Sequence, residues 1–237
     1  MADMARTIPP DRFQQLIDCA TQVFIEQGYA RTQMADIADA MGVAKGTLYL
    51  YVESKEALFD LVLRHADAER PLTTPPTLPL RTPEPGATLQ HVRTRLAEQP
   101  PLPALLAALR RQRVADPRAE LSEVVREIYH PLSRNRRAIK LMDRSAQFHP
   151  DLAAVWFKGA RGTLINRLSA YLDRRIRRKL FRPVPDTAVA ARVIMETIVT
   201  WAVHRHWDPS PQAIDDQVAE DTVVQFIVGG LMKEAQR

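Results

Sequence analysis

From Asp11 onward, apolar residues fall at Phe13, Leu16, Ile17, Ala20, Val23 and Phe24, the three- and four-residue spacing of a helix with one buried stripe. Gly28 ends that stripe, because glycine reaches the left-handed conformation that closes helices. Thr32 is positioned to cap a second helix whose inner face is Met34, Ile37, Ala38 and Met41, and Gly42 stops it in turn. A tight turn then leads to a short third helix, about 44–51, with Leu48 and Val52 inward. Ser54 caps a fourth, with Leu58, Phe59, Leu61, Val62 and His65 near its apolar side.

The stretch PLTTPPTLPLRTPEPG at 71–86 is too rich in proline for helix and predicts an extended linker. Helical patterns resume at about 87–98, 103–114, 117–132, 135–147, 151–179, 186–207 and 213–235, with Pro103 and Pro117 in first turns and Asp151 and Asp186 at helix starts. No useful run alternates polar and apolar residues, and no repeat appears. The expected fold is therefore all-α: a three-helix helix-turn-helix domain in residues 1–70, the linker at 71–86, and a helical domain in 87–237, to which the resemblance described below assigns ligand sensing and dimerisation.

Composition narrows the setting. With 237 residues and 46% hydrophobic content the chain can bury a core unaided, and its one cysteine, Cys19, excludes an internal disulfide. The polar start MADMARTIPPDR is no signal peptide, and no segment reaches the ~18 apolar residues of a membrane span, so a cytoplasmic protein without membrane contact is expected. The net charge of +5 suggests nucleic acid, yet its distribution warns against that shortcut. Residues 1–70 hold 7 Lys and Arg against 11 Asp and Glu, and the remainder 26 against 17. A DNA argument must rest on where individual cations sit, since attraction to phosphate fades over roughly 8 Å at physiological salt.

The informative stretch is 28–59. Two short helices joined by a glycine turn, with Ala35 and Ala38 small enough for close crossing, fit a helix-turn-helix whose second helix is sized for the major groove. Its outward face carries Lys45, Gly46, Thr47 and Tyr49, with Leu50 at the edge. Lys45 can reach a phosphate or a guanine edge, Gly46 lets the backbone approach, Thr47 can hydrogen-bond or touch a thymine methyl, and Tyr49 joins an apolar ring to a hydroxyl. Lys55, in the first turn of the fourth helix, reads as a phosphate clamp. The competing reading of the stretch is a hairpin that stabilises some other α domain, but an exposed Lys-Gly-Thr-x-Tyr face has no packing purpose there.

The ordered set Gly28-Tyr29, Thr32, Ile37-Ala38, Gly42-Val43, Lys45-Gly46-Thr47-Leu48-Tyr49 and Ser54-Lys55-Glu56-Ala57-Leu58 resembles the N-terminal domain of TetR/AcrR-family regulators over roughly residues 11–70. The resemblance implies a homodimeric transcriptional repressor that binds a near-palindromic operator on double-stranded DNA and is released by a small-molecule effector. It also implies DNA contact by Thr32, Gln33, Lys45, Gly46, Thr47, Tyr49, Tyr51 and Lys55, and dimerisation through the last helices. The sequence departs from the common pattern at Ala44, where serine is frequent, at Leu50 and Val52 in place of His and Phe, and at Ala35.

In the second half, the apolar faces at 186–207 (Val189, Val193, Ile194, Ile198, Trp201, Ala202) and 213–235 (Val218, Val223, Phe226, Ile227) suit a two-fold four-helix bundle, with Gly229 and Gly230 allowing close approach. A small hydrophobic effector would meet Met142, Phe148, Trp156, Phe157, Met195 and Trp201. The basic run RRIRRK at 174–179 reads as a solvated helix end complementing the helix dipole, with an anion site as the alternative, and the arginines at 110, 111 and 113 and at 134, 136 and 137 read likewise. His204 and His206, two apart on a helix, point about 200° from each other and make no chelate. No phosphate loop, nucleophile elbow or zinc-helix motif supports an enzyme, and no metal or cofactor is called for.

Overall fold

Residues 10–67, 77–98, 102–147, 149–210 and 213–233 are described by the structure, a computed structural model. They form helices and no strand beyond two isolated bridges. The chain divides into two compact units, one comprising residues up to Ala97 together with Arg137–Ala153, the other Glu98–Arg136 and the chain from Ala154 on.

The first unit opens with α1 (Pro10–Gln27), α2 (Met34–Met41), α3 (Lys45–Leu48) and α4 (Lys55–His65). Phe13, Leu16, Ile17, Ala20 and Phe24 of α1 are fully buried, as the spacing predicts, against Ile37, Leu48, Val52, Leu58 and Val62. Phe24 and Phe59 meet edge to face with centroids 5.4 Å apart. Gly28 and Gly42 take φ of 80° and 64°, the left-handed region in which a side chain is strained. Ser54 caps α4, accepting the Ala57 N–H at 3.1 Å.

Two local expectations are corrected. The cap of α2 is Gln33, not Thr32: the Gln33 N–H donates to the Asp36 carboxylate at 2.8 Å, while the Thr32 hydroxyl turns back to the Gly28 carbonyl at 2.9 Å. The third helix is also shorter than 44–51. Ala44 offers no capping side chain, Gly46 and Thr47 are weak helix formers, and the chain tightens into three-residue turns, with Leu50 N–H on the Thr47 carbonyl and Tyr51 N–H on that of Leu48.

Residues 77–84 run back beside the third helix: Leu80 N–H donates to the Tyr51 carbonyl at 2.8 Å, and Glu53 N–H to that of Leu80 at 2.9 Å. Residues 68–76, which contain the first part of the expected proline linker, lie outside the described residues. α5 (Ala87–Glu98) follows, held to α4 by Thr88 donating to Asp60 and by Arg64 meeting His91. The unit is completed by α8 (Arg136–Ala146) and α9 (Pro150–Ala153). Asp67 accepts the first N–H groups of α8, at Arg137 and Ala138, and Arg144 donates to the carbonyls of Ile25 and Glu26 at the end of α1.

The second unit contains α6 (Pro103–Arg110), α7 (Pro117–Arg134), a π-helical segment Ala154–Arg161, α10 (Gly162–Arg177), α11 (Thr187–Ala202), a 3₁₀ turn His204–Trp207 and α12 (Asp216–Leu231). The single helix expected at 151–179 is therefore interrupted. Gly162 shows why the wider turn is tolerated: a Cβ there would stand 3.2 Å from the Phe157 carbonyl oxygen, closer than side chains ordinarily come. Aspartates 116, 186 and 215 each cap a helix by accepting two of its first N–H groups.

The basic run at 174–179 is also more than a solvated end. Arg174 donates to the Leu109 carbonyl in the last turn of α6, and Arg178 to that of Gln112 just beyond it, so both serve the end of α6 and the chain after it rather than their own helix. Arg175 is wholly buried, bonds the Ala108 carbonyl at 2.6 Å, and pairs with Glu120 at 2.7 Å; Tyr171 also donates to Glu120, and burial pushes its phenol far up from the usual value.

Candidate nucleic-acid interface

The α2–α3 surface is built from inside outward. Leu48 is completely buried, and Tyr51 is only 5% exposed with its ring 6.5 Å from that of Phe13, so these two residues anchor the short helix from behind. The opposite side faces solvent. Lys45 and Gly46 are exposed, Thr47 is half-buried, and Tyr49 and Leu50 are 43% and 53% exposed. A Cβ on Gly46 would meet nothing within 4 Å, so no packing within this chain requires glycine there. Lys45 has no ion-pair partner among the described residues, which leaves its charge available to a phosphate.

Gln33 is exposed at the start of α2. Thr32 is 1% exposed and its hydroxyl is spent on Gly28; like Tyr51, it shapes the surface from within. Lys55 stands beside these residues, yet its ammonium is engaged by the protein itself, donating to the Tyr29 carbonyl at 3.0 Å and the Thr32 carbonyl at 3.1 Å and lying 4.5 Å from the Tyr29 ring centre. The Tyr29 hydroxyl donates to Glu56 at 2.9 Å. A backbone N–H and the Tyr29 hydroxyl hold the Glu56 carboxyl below its ordinary range, and burial raises the Tyr29 phenol above its own. Sequence reasoning assigned no role to Tyr29 or Glu56; an aromatic directly after the helix-ending glycine was the available signal.

The six residues expected around an effector are divided. Met142 is buried in the first unit; Trp156 and Phe157 sit half-buried on the π-helical segment of the second, with Met195 buried and Trp201 half-buried; Phe148 lies outside the described residues. The π-helical segment is tied to α11 by Arg161, which pairs with Glu196 at 2.5 Å and lies 5.9 Å from the Phe157 ring. Two open hollows in the second unit are lined by other residues, one between α6 and α7 and one along the end of α10. Among the described residues no cluster of His, Cys, Asp and Glu is arranged for a metal, and no helix is long and apolar enough to cross a membrane.

Helices α1–α4 thus form a helix-turn-helix arrangement within the first unit, and the second unit is helical as well. Residues 16–62 match the family described as bacterial regulatory proteins, tetR family. The chain is similar to the HTH-type transcriptional repressor KstR2 of Rhodococcus jostii, 43% identical over 53 residues that make up 22% of this chain and 26% of that protein. It is also similar to the HTH-type transcriptional activator FasR of Mycolicibacterium smegmatis, 43% identical over 58 residues, 24% of this chain and 26% of that protein. The match thus spans about a quarter of the length of these curated relatives. The fold as a whole resembles that of the ketosteroid transcriptional regulator KstR2 of Mycobacterium tuberculosis, with a TM-score of 0.55 and 19% identity over 94% of this chain and 96% of that one.

Proposed function

We propose that the protein is a homodimeric transcriptional repressor in the cytoplasm that reads a near-palindromic operator with its α2–α3 surface and releases it on binding a small hydrophobic effector. The observation that carries this reading is the face of exposed Lys45, Gly46 and Tyr49 with half-buried Thr47, backed by buried Leu48 and Tyr51. Lys45 and Gln33 contact the DNA backbone, Thr47 and Tyr49 meet base edges, and Gly46 admits the groove wall. Thr32, Tyr51 and Lys55 act from behind, fixing the α1–α2 junction and the short helix, with Lys55 lending positive potential to the phosphate nearest it.

Dimerisation is supported by a face the chain leaves uncovered. Val189 and Val193 on α11 are 62% and 58% exposed, Val218 and Phe226 on α12 are 58% and 76% exposed, and the two helices pack on each other. Apolar groups gathered this way are buried by a second copy in a four-helix arrangement. For the effector, Trp156 and Phe157 on the π-helical segment, with Met195 and Trp201, supply apolar area; π-helical insertions recur at functional sites.

The test is fluorescence anisotropy of the purified full-length protein with DNA from its own promoter and with scrambled duplex at moderate salt. Preference for the promoter, with affinity falling steeply as salt rises, is expected. Equal affinity for both sequences sinks the reading. Lys45→Ala should weaken all duplexes and reduce the salt slope by about 1, while Tyr49→Ala should change preference among sequences. A reporter behind the bound promoter distinguishes repression from activation.

A further inference from the structure

Segments 108–120 and 171–182 together hold ten Lys and Arg against three Asp and Glu. The fold draws these distant runs together, because Arg174 and Arg175 of α10 donate to the Leu109 and Ala108 carbonyls in the last turn of α6, and Arg178, just past α10, donates to that of Gln112. Bonds to carbonyls fix a guanidinium in place without cancelling its charge. The three carboxylates cannot cancel it either. Glu120 is buried and shared between Arg175 and Arg111, Asp173 is paired with Arg177, and Asp116 caps α7. Among the described residues Arg110, Arg113, Lys179 and Arg182 have no carboxylate partner, and Nη1 of the wholly buried Arg175 has no hydrogen-bond partner.

Capping α6 needs one or two donors; the rest of this charge is self-repelling in the free protein, and an anion relieves it. Along the end of α10 lies an open hollow of about 370 Å³ lined by Asp173, Arg174, Arg177 and Arg178. Guanidiniums match phosphate oxygens in bidentate geometry, and those of Arg174 and Arg178 are already immobilised by α6 and the chain after it, which lowers the entropy lost on binding. Three of these arginines line one compact hollow instead of tracking along an extended groove, which favours a short chain of phosphates over a duplex.

We propose that the hollow at the end of α10 binds a compact polyphosphate anion, two or three adjacent phosphate groups held by Arg174, Arg177 and Arg178. None of these residues belongs to the proposed DNA surface, so this inference stands apart from that reading.

The experiment is isothermal titration of the full-length protein with inorganic tripolyphosphate, with sulfate at matched ionic strength as the control. Saturable binding at one site per chain that weakens with salt is expected. Arg177→Gln, an exposed side chain that lines the hollow and makes no bond to α6, should weaken it by about tenfold. Lys45→Gln should leave it unchanged, and a thermal melt verifies that each variant folds. Competition by a nucleoside triphosphate assigns the phosphate chain to a nucleotide, and absence of competition assigns it to an inorganic chain. Binding no stronger than that of sulfate overturns the proposal, as does binding indifferent to the Arg177 substitution. Displacement of tripolyphosphate by random duplex, tightening with duplex length, overturns it in favour of a nucleic-acid surface.

Discussion

Lys55 lies across Tyr29, its ammonium 3.0 Å from the Tyr29 carbonyl oxygen and 4.5 Å from the centre of the Tyr29 ring. One cation therefore fastens the first turn of α4 to the junction between α1 and α2, on which the proposed DNA surface depends. Lys55→Gln cannot reproduce the charge or both bonds. It is expected to cost roughly 1–3 kcal/mol in urea denaturation, the worth of hydrogen bonds to a charged group. DNA affinity should fall alike for all sequences, whereas a selective loss for one operator would place the Lys55 side chain on a base.

The buried pair of Arg175 and Glu120 behaves differently from a surface ion pair. Glu120→Ala strands a wholly buried guanidinium, and a loss of roughly 3–5 kcal/mol is expected in chemical denaturation. Arg175→Met together with Glu120→Leu should recover much of that, because apolar replacement of a buried pair avoids desolvating either charge. If the double variant is no better than the single one, the capping bond to Ala108 matters more than the pairing.

Phe226 is the most exposed large apolar residue of the α11–α12 face. Phe226→Asp would place a carboxylate at the centre of the proposed interface, and sedimentation equilibrium should then detect monomer at concentrations where the unchanged protein is dimeric. An unaltered dimer would move the interface elsewhere.

Histidines 65 and 206 both titrate below the usual value, His65 through burial and then Arg64, His206 through burial and then Arg136 and Arg205. The unfolded chain takes up these protons near pH 6.5, while the folded chain resists them until lower pH. Stability is therefore greatest above that pH, declines as pH falls through it, and levels off once the folded histidines also titrate. Thermal melts at pH 7.5 and 5.5 should show the decline, and His65→Gln/His206→Gln should flatten it. Keeping above pH 5 separates the effect from that of Glu56, whose depressed pKa costs stability only under more acidic conditions.

Much of the helical framework was legible because its signals are local. Gly28 and Gly42 end helices, Ser54 and Asp186 begin them, and the apolar spacing in α1 is the buried stripe itself. The outward Lys45, Gly46, Thr47 and Tyr49 face was readable for the same reason: within one turn of helix, spacing fixes direction. The π-helical segment was not, since its wider turn departs from the period on which the reading relies. Nor was the choice of Gln33 over Thr32 as cap, which turned on a competing acceptor at Gly28.

By itself the sequence determined where helices start and stop and which side of each turns inward, because backbone preference and burial act over three or four residues. Only the tertiary structure decided that Arg144 would close α1, that Arg174 and Arg175 would close α6, and that Lys55 would hold Tyr29. The last carbonyls of a helix need donors, and any part of the chain that folds close enough can provide them; distance along the sequence holds no record of which part does.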